Sequence, residues 1–145
     1  MTSEPTSSPS SPFRPVLTTQ VDLERMWKRL MKPLGFSRCS LWMVVVEDDR
    51  AVPQIMEFTE LPDSPDPEDA EAIAAFLAHL ASPGTRFAFL RSRPGGGRPT
   101  SGDRAWAAAL YDAARRSGAA LDVVHLAHDH DVLPLPMDDV IAESA

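Results

Sequence analysis

The sequence has little cysteine, few aromatic residues and no long apolar run. Among its 145 residues there is a single cysteine, Cys39, which excludes an internal disulfide and is expected to be a buried, inert thiol. No apolar stretch approaches the ~18 residues of a membrane-spanning helix, so no membrane partner is expected. The first residues, Met1 to Pro5, show neither a basic nor an apolar signal segment, and the predicted location is the cytoplasm.

Basic residues are outnumbered. The chain has 14 Lys and Arg against 21 Asp and Glu, for a formal net charge of -7. A field of this sign repels phosphate backbones, so nucleic acid is disfavoured as a partner. The expected partner is a protein, and homodimerisation through an exposed sheet edge stays open.

Composition divides the chain into three parts. Residues 1–15 are mostly Ser, Pro and Thr and offer almost no apolar surface, so we predict a disordered tail. Residues 16–140 have the length of one globular domain, and the 43% hydrophobic content of the whole chain is that of a globular protein. Residues 141–145 are expected to fray.

Periodicity predicts three helices. Apolar residues recur at three- and four-residue steps from Leu23 to Leu34, from Ile73 to Leu80 and from Trp106 to Ala114. Gly118 would close the third helix. The candidate N-terminal caps are Thr18, Thr19 or Asp22 for the first helix, Ser64 or Asp66 for the second, and Ser101 or Asp103 for the third.

Apolar runs rich in β-branched and aromatic residues predict the strands. Leu41 to Val46 and Val52 to Leu61 flank a polar turn and indicate a hairpin, and Phe87 to Leu90 is a third strand. Leu121 to Ala127 and Val132 to Leu135 supply two more. The predicted fold class is α/β (α+β), with three helices around a mostly antiparallel sheet of about five strands.

The segment between the third strand and the third helix carries three arginines and three glycines. Backbone amides, a helix N-terminus and guanidinium groups together can bind phosphate or a partner's carboxylates. The candidate ligand-binding residues are Arg91, Arg93, Gly95, Gly96, Gly97, Arg98 and Ser101. The spacing of a P-loop and its lysine are absent. A solvated loop whose arginines pair with surface carboxylates is the competing interpretation.

This order of elements and this loop resemble the JAB/MPN fold of bacterial RadC-type proteins over roughly residues 18–137. In that family the loop carries His-x-His-Pro, a Ser seven residues after the Pro and an Asp three residues after the Ser, and the two His and the Asp bind zinc. The chain keeps Pro94, Gly96 and Ser101 at the family spacing. Arg91 and Arg93 stand at the histidine positions.

The zinc-binding aspartate of the family is also missing from its position in this sequence. Arg104 stands at the position of the ligating aspartate, and Asp103 falls one residue short of it. Counterparts of the family's glutamate base would be Glu47, Glu57 or Glu60. Arginine stays protonated and repels cations, so the resemblance implies a JAB/MPN-like fold without the family's zinc chemistry.

The sequence therefore predicts a non-catalytic JAB/MPN-like interaction or scaffold module, with no catalytic residues and no cofactor. The alternative is a small hydrolase or a nucleotide- or phosphate-binding enzyme using the Arg91–Arg98 loop. A DNA-binding regulator is a weaker third reading, since the charge opposes it. His128 and His130 are weak metal candidates on a predicted strand turn, because their spacing matches no zinc pattern.

Overall fold

The structure is a mixed β-sheet with helices on both faces. It is a computed structural model that describes residues 16–59, 61–138 and 140. The predicted tail at 1–15 and the predicted fraying at 141–145 lie outside the described residues. The helices are α1 (Gln20–Leu30), α2 (Pro67–Leu80) and α3 (Ser101–Ser117). The strands are β1 (Ser40–Glu47), β2 (Arg50–Thr59), β3 (Thr85–Ser92), β4 (Ala120–Leu121), β5 (Val124–Ala127) and β6 (Val132–Leu135).

Each helix begins with a reciprocal capping box. Thr19 caps α1 and Asp66 caps α2, both among the predicted candidates. The prediction for α3 was wrong, because its N-cap is Thr100. Ser101 is the first helical residue, and Asp103 is the third, whose carboxylate accepts from the cap amide. Gly118 ends α3 at a φ of 76°, a left-handed conformation that glycine adopts without strain.

The predicted hairpin joins β1 and β2 through Asp48 and Asp49. Their φ angles of 50° and 66° are those of a type I′ turn, whose twist matches that of the flanking strands. Ser40 pairs with Thr59 and Trp42 with Glu57 at the other end of the hairpin.

The sheet has the strand order β2-β1-β3-β5-β6, with β4 also paired to β3. The predicted fold class is confirmed, and β2 and β6 form the two edges of the sheet. The described part of the chain has six strands rather than about five, because the run Leu121–Ala127 is broken. At the break the Asp122 amide donates to the Phe87 carbonyl, and its carboxylate binds Arg86. β3 runs parallel to β4 and β5, and the other pairings are antiparallel.

Side chains alternate between the two faces of the sheet. One face packs against α1, around the fully buried Trp27. The opposite face packs against α2 and α3, around Phe87, Phe89 and Trp106. Val140 is buried in this second cluster. The candidate loop leaves the sheet at the end of β3, so it lies over the start of α3.

Candidate functional site

Arg91 and Arg93 lie at the end of the central strand and point into the protein. Side chains two residues apart on a strand share a face, and these two follow Phe87 and Phe89 on the face covered by α2 and α3. The Arg91 side chain is 1% exposed and that of Arg93 is 8% exposed. A charged group at such a depth needs a partner of opposite charge.

Asp103 is that partner for both arginines. Its side chain is fully buried. Nε of Arg91 donates to Asp103 Oδ1 over 2.9 Å, and Nε of Arg93 donates to both carboxylate oxygens over 2.9 Å. The Arg91–Asp103–Arg93 cluster is thus a buried ion triad, in which one carboxylate is shared by two guanidinium groups.

The start of α3 aims this carboxylate. Asp103 Oδ2 also accepts from the Thr100 amide over 2.8 Å, while the Asp103 amide donates to Thr100 Oγ1. Burial by itself would raise the pKa of Asp103, but the hydrogen bonds from Thr100, Arg91 and Arg93 outweigh it and lower that pKa. The carboxylate therefore stays ionised and holds the end of β3 to the helix.

The outer ends of the two guanidinium groups reach different surroundings. Arg91 Nη2 lies 3.4 Å from Asp63 Oδ1 and 3.9 Å from Cys39 Sγ, and its buried Nη1 has no hydrogen-bond partner among the described residues. Arg93 donates to the carbonyls of Pro94 and Arg98 and so braces the loop from inside. Both arginines thus serve internal contacts.

Cys39 differs from its prediction. It is partly exposed rather than buried, because it precedes β1 in the loop that leads from α1 into the sheet. The apolar run that follows Cys39 indicated burial, but that burial begins with the strand itself, at Ser40.

The glycines of the loop occupy positions where a side chain would be strained or would clash. Gly95 and Gly97 have φ angles of 85° and 81°, which favour glycine. The Gly95 amide, predicted as part of an anion site, donates to Asp129 Oδ2 over 2.8 Å. A Cβ at Gly96 would stand 2.5 Å from the ring of His130. The turn at 128–131 therefore packs directly against the Arg/Gly loop.

Asp129 ties three loops together, a role that no sequence pattern indicated. Besides Gly95, its carboxylate accepts from the Phe36 amide over 2.9 Å. These two amides, first Phe36 and then Gly95, lower the pKa of Asp129.

The histidine turn shows no metal centre. The rings of His128 and His130 lie 6.0 Å apart, and Nδ1 of the buried His128 accepts from the His130 amide. Within residues 16–138, apart from Glu60, no group of three or more His, Cys, Asp or Glu side chains is placed to hold a metal ion. Two imidazoles alone are too few ligands for a stable zinc site.

Arg98 and Ser101 are exposed and lie outside the ion triad. The structure thus divides the predicted site. Arg91 and Arg93 are buried on Asp103, whereas the three glycines that shape the turn, together with Arg98 and Ser101, are exposed. Asp103 is the residue that the sequence reading placed in the wrong role. The pattern Thr100-x-x-Asp103 is a capping box and could have identified the cap.

A second feature is an apolar groove between α2 and the β1–β2 side of the sheet. Its volume is about 260 Å³. The lining residues are Leu41, Phe58, Leu61, Asp69, Ala72, Ile73, Phe76, Phe89 and Trp106. The indole nitrogen of the buried Trp106 donates to the Pro62 carbonyl over 3.0 Å, which fixes the position of this ring in the lining. No motif marked this groove in the sequence.

The fold and the site thus define an α+β protein with an internal ion triad at the end of its central strand. Comparison with protein-family models, with curated proteins and with solved structures finds no match. Across the described parts of the chain, no helix has both the length and the apolar character needed to cross a membrane.

Proposed function

We propose that this chain is a non-catalytic protein-interaction module of JAB/MPN-like topology that works in the cytoplasm. The observation that supports it is the buried Arg91–Asp103–Arg93 triad. In the JAB/MPN resemblance these two arginines stand at the zinc-ligand positions, and here they are neutralised in part by the chain's own carboxylate.

The charges of the triad favour this reading over a metal enzyme. The buried part of the cluster, two guanidinium groups and one carboxylate, carries a net positive charge that the exposed Asp63 offsets only in part, and this charge repels a metal cation. Neither guanidinium has a lone pair to donate to a metal. No water could be activated at this position in the way that zinc activates it.

The order of elements supports the topology. A helix, a β1–β2 hairpin, a second helix and β3 lead into the loop, and α3 follows it. The JAB/MPN fold of RadC-type proteins has the same order of elements around its loop.

The rival enzyme reading needs the same loop to bind phosphate. Arg91 and Arg93 already bind Asp103, and the Gly95 amide already binds Asp129. An incoming phosphate would have to displace these carboxylates or rely on the exposed Arg98 and Ser101. The observed contacts therefore favour the interaction module.

Metal analysis combined with a double substitution tests the proposal. We expect purified wild-type protein to contain no stoichiometric zinc, before or after incubation with zinc, and to show no thermal shift with phosphate or ATP. Stoichiometric zinc, or a phosphate-dependent shift that is lost in Arg91→Gln/Arg93→Gln, would overturn the non-catalytic reading in favour of the enzyme.

The variant Arg91→His/Arg93→His tests the topological assignment. An imidazole Nε2 extends about as far from the backbone as an arginine Nε, so two histidines beside Asp103 would supply three zinc ligands. We expect this variant to bind about one zinc per chain and Arg91→Gln/Arg93→Gln to bind none. Equal metal content in the two variants would contradict the JAB/MPN-like placement.

A further inference from the structure

The net charge of the chain is concentrated in one segment. Residues 51–85 contain seven of the 21 acidic residues and none of the 14 basic ones. The remaining 14 acidic and 14 basic residues balance, so the whole net charge of -7 is carried by this segment. It comprises nearly all of β2, the following loop and α2.

The apolar groove opens within this acidic segment. Leu41, Phe89 and Trp106 are buried and form its floor. Phe58 and Phe76 contact each other edge-to-face, with ring centroids 6.2 Å apart, and form part of its wall. Large aromatic surfaces around a partly open groove can accept an apolar side chain from another molecule.

Acidic side chains at the start of α2 stand beside the groove. Asp69 lines it, and Asp66, Glu68 and Glu71 are exposed nearby on the same helix or at its cap. Within the described part of the chain, none of these four carboxylates forms an ion pair with a basic side chain. An apolar groove with unpaired negative charge at its mouth is complementary to an apolar side chain flanked by positive charge.

We propose that this groove binds a basic, amphipathic peptide segment of a partner protein. A large apolar side chain of the partner would occupy the groove, and a neighbouring Lys or Arg would face the carboxylates of Asp69 and Glu68. This inference rests on the proposed interaction module and names the chemistry of its partner.

A second copy of this chain fits the groove poorly. A twofold interface through the groove would bring two acidic rims together, and the like charges would oppose it.

The chain's own N-terminal segment fits poorly as well. Its aromatic residue, Phe13, precedes Val16 by three residues, and Val16 is bridged to Arg50 at the far end of β2 from Phe58. Three residues reach about 10 Å, whereas the eight residue-to-residue steps along the strand from Arg50 to Phe58 span about 26 Å.

A peptide selection with matched variants tests the proposal. Random 12-residue peptides displayed on phage would be selected on the immobilised full chain, and the recovered sequences would be synthesised and titrated in solution. The groove variant is Ala72→Lys, which places a long cationic side chain at the lining. The control is Ala78→Lys, the same change on an exposed position of the same helix that does not line the groove.

We expect the recovered peptides to combine a large apolar residue with an adjacent Lys or Arg. Their affinity should fall by about tenfold or more in Ala72→Lys and stay within about twofold in Ala78→Lys. Affinity should also weaken as salt is raised, because the exposed charges are screened. Tryptophan fluorescence, to which Trp106 at the groove contributes together with Trp27 and Trp42, should change on peptide binding in Ala78→Lys and not in Ala72→Lys.

Three outcomes would overturn the proposal: recovery of no peptide, recovery of neutral or acidic peptides, and equal binding by Ala72→Lys and wild type. Peptides that bind both variants equally would assign the interaction to another surface and leave the non-catalytic module standing. A concentration-dependent dimer abolished by Ala72→Lys would assign the groove to a second copy instead. Metal content is unaffected by any of these results, so failure of the groove and failure of the proposed function are distinguishable.

Discussion

Replacing Asp103 by asparagine preserves the shape of the side chain but removes the charge shared by Arg91 and Arg93. All three side chains are at most 8% exposed, so solvent cannot replace the lost charge. The amide of asparagine can still accept a hydrogen bond, yet it leaves the buried guanidinium group of Arg93 without an anion and that of Arg91 with only the exposed Asp63, 3.4 Å away. Asp103→Asn should therefore destabilise the folded state strongly.

The expected loss is about 3 kcal/mol, the lower end of the ~3–5 kcal/mol found when one partner of a buried ion pair is removed. Domains of this size have a free energy of unfolding of about 5–15 kcal/mol, so the variant should fold with much of its stability lost. The midpoint of thermal unfolding should fall by about 10 °C.

Urea unfolding followed by circular dichroism measures this loss. Asp112→Asn is the matched control, because Asp112 is on the same helix and also pairs with two arginines, Arg115 and Arg116, at the exposed surface. We expect a far smaller change for the control, since exposed ion pairs contribute little. Equal destabilisation of the two variants would refute the idea that burial makes the triad important.

The pH dependence gives a second readout of the same triad. The pKa of Asp103 is lower in the folded state than its unfolded-state value near 3.8. The ionised carboxylate therefore stabilises the fold fully above that value, and this stabilisation is lost as pH falls through the lower folded-state pKa. Wild type should lose stability over this acid range, and Asp103→Asn should lose less. Parallel acid profiles would contradict the assignment.

Two further predictions concern other buried positions. In Gly102→Ala the new Cβ would lie 2.5 Å from the Asp63 carbonyl oxygen, so urea unfolding should show a loss of about 1–3 kcal/mol in the free energy of unfolding. In Gly96→Ala the new Cβ would meet the exposed His130 ring, which can move, so the loss should be smaller. Burial lowers the pKa of His125 in the folded state, so below about pH 6.5 the unfolded chain takes up a proton that the folded chain does not. Wild type should therefore lose stability as pH falls through about 6.5, and His125→Gln should not show this loss. A pH profile unchanged by His125→Gln would contradict that reasoning.

The elements that depend on local chemistry could be predicted from the sequence. Capping residues, the Asp48-Asp49 turn and the apolar stripes act within a few residues of themselves, so the helices and the hairpin followed from them. The break after Leu121 could not be predicted, because Asp122 leaves the strand to bind Arg86, 36 residues earlier. Long-range contacts of this kind leave no local pattern.

The candidate loop was predicted in position but not in orientation. Three arginines near a helix N-terminus indicate an anion site, and the alternation from Phe87 through Arg93 placed two of them on the inner face of β3. The sequence could not show that α3 brings Asp103 to that face, because Asp103 also satisfied the pattern of a helix cap. The anion is present, and it is a carboxylate of the same chain.

The triad holds the end of β3 to the start of α3 through charged side chains alone. A metal site in which one cation attracts anionic or neutral ligands can join a strand end to a helix. The Arg91–Asp103–Arg93 cluster joins the end of β3 to α3 by the opposite arrangement, two cations around one anion. Unlike zinc, it has no open position at which a water molecule could be bound and ionised. If the arginines act only as this clamp, a buried apolar replacement of all three residues should retain the fold, since such triads can be replaced by well-packed apolar side chains without loss of stability. Peptide binding at the groove should then be unchanged, although its lining residues Phe89 and Trp106 lie on the two elements that the triad joins. A loss of binding would show that the triad's charged side chains hold those lining residues in place.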